Sequence, residues 1–251
     1  MRSALFYNPR LLIERLAEIS LDARRKRRLR ATPAAHFHGA LLDSLELLEL
    51  IPRPPTVIFD VGANIGTWTT LARSVYPNAE IIAFEPLDWH CEEFSKLNRG
   101  LSRVKLYQIA LGQEPGQFQM HVPTQSDSAS LLPMAQACTT VFNLKFDKNI
   151  DVQVARLDDY VEEKKIPKPD LIKLDVQGFE HEVVSGGPKV LDHASAVIVE
   201  ASFKEFYVGQ RRFDELIAIL AGAGFYLHAF GARTALAKPL DQCDVLLLRA
   251  T

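Results

Sequence analysis

The chain has 251 residues, 47% of them hydrophobic and 24% charged, with 29 basic side chains nearly balancing 31 acidic ones. This composition excludes a disordered tail, which carries fewer apolar residues and more net charge, and three cysteines are too few for a disulfide scaffold. A chain of this length can bury roughly 70 to 75% of its unfolded surface, enough for one large core.

The near-neutral total hides an asymmetry. Residues 1–50 carry nine basic and six acidic side chains, whereas the remainder carries twenty basic and twenty-five acidic ones. Within the first segment Leu12, Leu16, Ile19 and Ala23, and then Phe37, Leu41, Leu45 and Leu48, recur at the spacing of a helical apolar stripe. Two helices are expected, separated at Thr32-Pro33 and closed by Pro52-Arg53-Pro54-Pro55. Between the stripes, Arg24 to Arg30 places six positive charges in seven positions, which reads first as a solvated face. Nucleic acid is disfavoured as a partner because the run lacks interleaved aromatics and the rest of the chain is acidic.

No apolar run reaches the roughly 18 to 20 residues of a membrane span, and Arg10, Glu14 and Arg15 interrupt the N-terminus before a signal-peptide core can form. Cys91, Cys138 and Cys243 are odd in number and far apart. The expectation is a cytoplasmic protein with reduced thiols and no membrane span.

After the linker the periodicity changes. Val57–Val61, Ile81–Phe84, Val104–Ile109, Leu171–Leu174, Val197–Val199, Phe225–Ala229 and Val245–Leu248 read as short buried strands, most separated by helical stretches such as 67–76 and 89–97. That alternation predicts an α/β fold with a mostly parallel sheet covered on both faces. Only Gly231 to Gln242 separates the last two strands, so they are expected as an antiparallel pair at the sheet edge. Between Gly112 and Val161, Gln117–Val122 and Val152–Leu157 predict an inserted hairpin, with the polar stretch Gln125 to Ser130 as a rim loop. The expected organisation is therefore an N-terminal helical segment, residues 1–52, serving as a cap or a homodimer contact, and a cofactor-binding domain over residues 56–251.

Asp60-Val61-Gly62-Ala63-Asn64-Ile65-Gly66 follows the first strand directly, and Phe84-Glu85-Pro86 ends the second. In a doubly wound sheet ligands bind beyond the carboxyl ends of the strands, where glycine lets backbone approach the ligand and an acid about twenty residues on accepts hydrogen bonds from a ribose diol. The glycine spacing is neither G-x-G-x-x-G nor the P-loop pattern. This disfavours a nicotinamide oxidoreductase. A carboxylate just ahead of the turn repels phosphate and suits an ammonium, so S-adenosylmethionine fits: it has a ribose diol, an ammonium and a sulfonium, and no phosphate.

These two motifs, with Ala110-Leu111-Gly112, Leu157-Asp158-Asp159-Tyr160, the run Ile172-Lys173-Leu174-Asp175-Val176-Gln177-Gly178-Phe179-Glu180 and Gly186-Gly187, resemble the FkbM family of S-adenosylmethionine-dependent methyltransferases. The resemblance covers about residues 57–248. It implies a class I methyltransferase (Rossmann-like) fold and mostly O-methylation of hydroxyls on sugars, glycans or natural products. By that likeness Asp60, Gly62, Ala63, Asn64 and Gly66 line the methionine end of the cofactor, Glu85 the ribose, and Pro86 with Ala110 and Leu111 the adenine.

Asp175 ends the fourth strand of the parallel core, facing the transferred methyl group in this architecture. An alcohol must lose its proton as it attacks, so a positioned base is needed. Asp175 is the first candidate for base or hydroxyl anchor, Glu200 the second and His181 the third. Asp158, Asp175 and Glu200 are hard oxygen ligands, but their spacing demonstrates no site, and a divalent metal is not favoured. The alternative reading is a catalytically silent S-adenosylmethionine-binding module with a regulatory or scaffolding role.

Overall fold

The computed structural model describes residues 42–231 and 241–250, together with Ser20, Ala23, Lys26, Arg27 and Arg30, which are helical and exposed. The rest of the first apolar stripe and of the basic run, with Phe37 and Leu41, lies outside the described residues.

The elements in chain order are α1 (Leu42–Glu49), β1 (Val57–Val61), α2 (Thr67–Val75), β2 (Glu80–Phe84), α3 (Asp88–Leu97), β3 (Val104–Tyr107), β4 (Ala110–Gly112), β5 (Gly116–Pro123), α4 (Gln136–Phe142), β6 (Phe146–Arg156), α5 (Leu157–Glu163), β7 (Leu171–Leu174), α6 (Glu180–Gly186), α7 (Pro188–Leu191), β8 (Ala196–Ser202), α8 (Phe213–Gly222), β9 (Phe225–Phe230) and β10 (Gln242–Arg249). Seven of the strands form one sheet in the order β3-β2-β1-β7-β8-β10-β9. Pairings from β3 through β8 are parallel, and β10 runs antiparallel to both β8 and β9. The expected antiparallel pair therefore closes one side of the sheet, with β10 inserted one strand in from the edge. The order reverses between β1 and β7, which opens a crevice beyond their carboxyl ends.

The expected strand Val104–Ile109 ends early, as β3 at Tyr107, and at Ala110 the chain enters a second sheet ordered β4-β6-β5. There β5 and β6 make the inserted hairpin, and β4 joins β6 in parallel register. The intervening segment contributes a 3-10 turn over Ser126–Ser128 and α4.

Strand alternation sorts the main sheet into two faces. Phe59, Val61, Ile172, Leu174, Val197, Val199, Val245 and Leu247 point to the face covered by α5 to α8. Ile58, Leu171, Ile198, Leu246 and Leu248 point to the other, where Leu45, Leu47 and Leu48 of α1 and Leu71 of α2 complete the core. Fully burying each such leucine contributes roughly 1.5 to 3 kcal/mol, so α1 is an integral layer over this face. Two positions further along the same face come Asp60, Lys173, Glu200 and Asp244 in place of apolar residues. The polar row thus falls at the open end of the sheet.

The three cysteines are buried and form no disulfide. Among the described residues, no helix is long and apolar enough to cross a membrane.

Candidate active site

β1 gives way to a loop that the sequence makes tight for two different reasons. Gly62 has φ +82°, and a Cβ there would sit 1.9 Å from the Asp175 carbonyl oxygen, so only glycine lets this turn touch the end of β7. Gly66, at φ +86°, is held against Phe94 of α3 and Asn98 just beyond it, where a Cβ would lie 2.3 Å from the Asn98 side-chain amide nitrogen. The Gly62 and Ala63 N–H groups both donate to the Phe84 carbonyl at 3.0 Å, fastening the loop to the end of β2.

Glu85, the next residue, is 5% exposed and already oriented. Its Oε2 accepts from the Asn64 N–H at 2.9 Å, and its Oε1 accepts from the Leu87 N–H at 3.0 Å and faces His90 Nδ1 at 3.2 Å. A carboxylate oxygen offers about two lone-pair sites, so Oε2 retains one for a ligand hydroxyl. His90 Nε2 reaches Ser126 Oγ at 3.0 Å, joining the acid to the polar rim. Glu85 lines a cleft with Pro86, Ala110 and Leu111 on one side and Gly62 and Asn64 on the other. An acid with residual acceptor capacity beside a flat apolar wall fits a nucleoside, and Glu85 with Pro86, Ala110 and Leu111 would hold the adenosine part of S-adenosylmethionine.

A second cavity, of about 620 Å³, opens beyond β1, β7, β8 and β10. The two cavities share Gly62, Asn64, Asp127, Asp175 and Gln177, which form the wall between them. Asp175 accepts from Lys173 Nζ at 2.8 Å through Oδ2 and from Gln177 Nε2 at 2.8 Å through Oδ1. Gln177 Nε2 is also 3.4 Å from Glu200 Oε2, and the other Glu200 oxygen accepts from Gln242 Nε2 at 2.8 Å. Gln177 is in left-handed conformation, φ +54°, and its Oε1 accepts from the Tyr207 hydroxyl at 2.8 Å. The Ser128 carbonyl, 3.0 Å from the same hydroxyl, shares that one proton, and Ser130 Oγ donates to the Gln177 carbonyl at 2.6 Å. The serine-rich stretch is therefore bonded down over the shared wall.

Lys173 is 3% exposed. Burial alone would depress its ammonium, but the carboxylates of Asp175, Asp244 and Asp60 hold it above its ordinary value. Desolvation and the neighbouring Asp175 and Asp244 push Glu200 well above the usual carboxylate range. Glu200 therefore has greater proton affinity than an exposed glutamate.

Several expected site residues stand elsewhere. Asp60 is 1% exposed beneath the glycine loop, accepting from the Thr69 hydroxyl at 2.6 Å. It lines neither cavity, and burial raises its pKa to about 6. Ala63 lies in the wall of the larger cavity, and Gly66 serves helix packing. His181 borders neither cavity, because α6 turns its ring toward Glu182 and Ser185, each at 3.3 Å. Asp158 is remote from Asp175 and Glu200: it accepts from the Lys189 and Val190 N–H groups at 3.0 Å, capping α7. Among the described residues no three His, Cys, Asp or Glu side chains converge in a metal-holding arrangement. Residues that sequence reasoning missed are Lys173, Gln177, Tyr207, Trp68, Asp244 and His90. A lysine inside Leu171–Leu174 and an aspartate ahead of Val245–Leu248 were visible signals of a polar row, whereas Trp68 and Tyr207 had none.

Sheet order, cleft and shared wall together define a class I S-adenosylmethionine-dependent methyltransferase. A family model described as the methyltransferase FkbM domain matches residues 60–227. The chain belongs to the FkbM methyltransferase family. It is 29% identical over 184 residues to 2-O-methyltransferase NoeI of Sinorhizobium fredii, covering 70% of this chain and 75% of that one. It is 28% identical over 158 residues to hexuronic acid methyltransferase AglP of Haloferax volcanii, covering 63% and 61%. A third relative, 31-O-demethyl-FK506 methyltransferase FkbM of Streptomyces tacrolimicus, is 26% identical over 202 residues, covering 70% and 75%.

Proposed function

We propose that this protein transfers the methyl group of S-adenosylmethionine to a hydroxyl of a sugar, glycan or polyhydroxylated natural product. The observation that supports the reading is the wall shared by the two cavities: Asp175 lines both, as a group between cofactor and acceptor would. The names of two relatives, a 2-O-methyltransferase and a hexuronic acid methyltransferase, support the substrate class.

Bound S-adenosylmethionine supplies a methyl group on a positively charged sulfur. Asp175 anchors the acceptor hydroxyl at the wall and takes its proton as the oxygen–methyl bond forms and the methyl–sulfur bond breaks. Each Asp175 oxygen has one described donor and keeps a lone pair for that contact. Gln177 bridges Asp175 to Glu200, the second candidate for base or hydroxyl anchor. The capping role expected of the N-terminal segment is supported at α1, where Ser44 borders the acceptor cavity and its hydroxyl donates to Asp244 Oδ2 at 3.1 Å. A cytoplasmic location is proposed, in keeping with three buried cysteines that form no disulfide.

The test combines calorimetry with S-adenosylhomocysteine and transfer of a labelled methyl group to glycan extracts, with and without chelator. Asp175→Asn should lower transfer about 10²- to 10⁴-fold, the range for loss of a positioned acid–base group, and leave S-adenosylhomocysteine affinity within a factor of about three. Glu85→Ala should lose the cofactor affinity itself. Absence of transfer from a protein that binds S-adenosylhomocysteine would favour the silent-module reading.

A further inference from the structure

The charge and hydrogen-bonding character of the acceptor cavity goes one step beyond O-methylation and rests on that reading. Four carboxyl groups border the cavity: Asp127, Asp175, Glu200 and Asp244. Lys173 is the single cation among the described lining residues, and its ammonium is committed to Asp175 at 2.8 Å. A second, independent feature lies on the α2 side. Trp68 is 5% exposed and borders the cavity, yet its indole Nε1–H has no hydrogen-bond partner among the described residues. An unpaired buried donor is costly and is satisfied when a ligand oxygen meets it. Phe142 and Phe206 give the same cavity apolar faces against which a sugar's C–H surface can pack.

We propose that the acceptor cavity is a subsite for a saccharide without negative charge, neutral or amine-bearing, whose hydroxyls or amine donate to the carboxylates while one of its oxygens accepts from Trp68 Nε1. An anionic sugar brings its charge to a cavity bordered by four carboxyl groups and by one lysine already paired with Asp175. Its carboxylate or phosphate would lose water and gain no uncommitted cation, the indole N–H being a neutral donor, which discriminates against it by repulsion and by desolvation together. The selectivity is thus distinct from that named for the Haloferax volcanii relative, a hexuronic acid methyltransferase.

The test uses the whole chain with labelled S-adenosylmethionine and three matched sets of methyl glycosides: neutral hexosides, hexosaminides with a free amine, and hexuronides. The best neutral or amino glycoside should exceed the best hexuronide at least tenfold in kcat/KM. A smaller ratio, or a preference for the hexuronide, overturns the inference and leaves O-methyl transfer standing. Transfer to none of the three sets overturns the inference, and only if the glycan extracts also receive no methyl group does the O-methyl reading fall with it. Trp68→Phe should raise the KM of the best glycoside about tenfold with S-adenosylhomocysteine affinity unchanged, and an unchanged KM overturns the assigned indole contact. The charge ratio is measured on the unaltered protein, so it stands as a test even if the Trp68 variant fails to fold.

Discussion

Lys173→Met keeps most of the side-chain stem and removes the ammonium, leaving Asp60, Asp175 and Asp244 beside an uncharged group. The ammonium is 2.8 Å from Asp175 Oδ2. At an effective dielectric constant of about 20, a pair at that separation interacts by roughly 6 kcal/mol. The Asp175 side chain is 31% exposed, so water recovers part of this, and the lower end of the range for breaking a buried pair applies, about 3 kcal/mol. For a domain of this size about 2 to 4 °C is lost per kcal/mol, so Tm should fall by roughly 6 to 12 °C at pH 8. The deficit should shrink between pH 8 and pH 5.5, because Asp60, with a pKa already raised to about 6, becomes protonated there and needs its counterion less. Thermal melts followed by circular dichroism across that range measure both quantities. A variant as stable as the parent at pH 8, or a deficit independent of pH, would refute the assignment of Lys173 as the counterion of this row.

The parent protein carries its own pH signature. Burial raises Asp60 from 3.8 to about 6 and Glu180 from 4.5 to about 7, so the folded state takes up protons that the unfolded state releases within those windows. The stability they confer is complete below pH 4 and lost as pH rises through 6 to 7, so Tm should be higher at pH 5.5 than at pH 8, and a monotonic rise with pH would contradict it. Gly62→Ala meets both a left-handed backbone and the Asp175 carbonyl, and should cost about 2 kcal/mol or more in chemical denaturation with loss of S-adenosylhomocysteine binding. Gly209→Ala, at φ +84° with open space around it, should cost only about 1 kcal/mol, and equal losses at the two positions would contradict the close-approach argument. Tyr207→Phe removes the hydroxyl that holds Ser128 and Gln177, and should speed amide exchange over residues 125–130 by roughly fivefold or more, as expected for a lost hydrogen bond of about 1 kcal/mol.

Much of the sheet was legible because local signals agreed with the global fold. The apolar runs of β1, β2, β7 and β8, each ending in a polar residue or glycine, located both the strands and the crevice at their carboxyl ends. The insertion was legible as a hairpin from its strand patterns, but its position was not. The switch of Ala110 into the second sheet depends on pairing with Val154, more than forty residues away. Site residues divided along the same line. Glu85 follows a strand end and could be placed by spacing, whereas Pro86, Ala110 and Leu111 were indicated only by the family resemblance; all four line one cleft. His181 sits in a run rich in functional residues, but the rotation of α6 decides where its ring points. Asp60 reads as a ligand because it precedes the glycines, yet strand alternation turns it inward beneath them. Trp68, Tyr207 and Asp244 reach the acceptor cavity from three separate elements, and their meeting is a property of tertiary packing alone.

The insertion of β10 between β8 and β9 has a consequence for the order in which the protein acquires competence. Gln242 and Asp244 enter the acceptor cavity from the leading end of that strand, and Asp244 meets Ser44 of α1 across 200 residues of sequence. A partially synthesised chain can pair β1, β2, β3, β7 and β8 and assemble the nucleoside cleft, whose residues all precede β8. It still lacks one side of the acceptor chamber. Cofactor capture and substrate selection are therefore separable during biosynthesis, with the second awaiting the last strand of the sheet to be made.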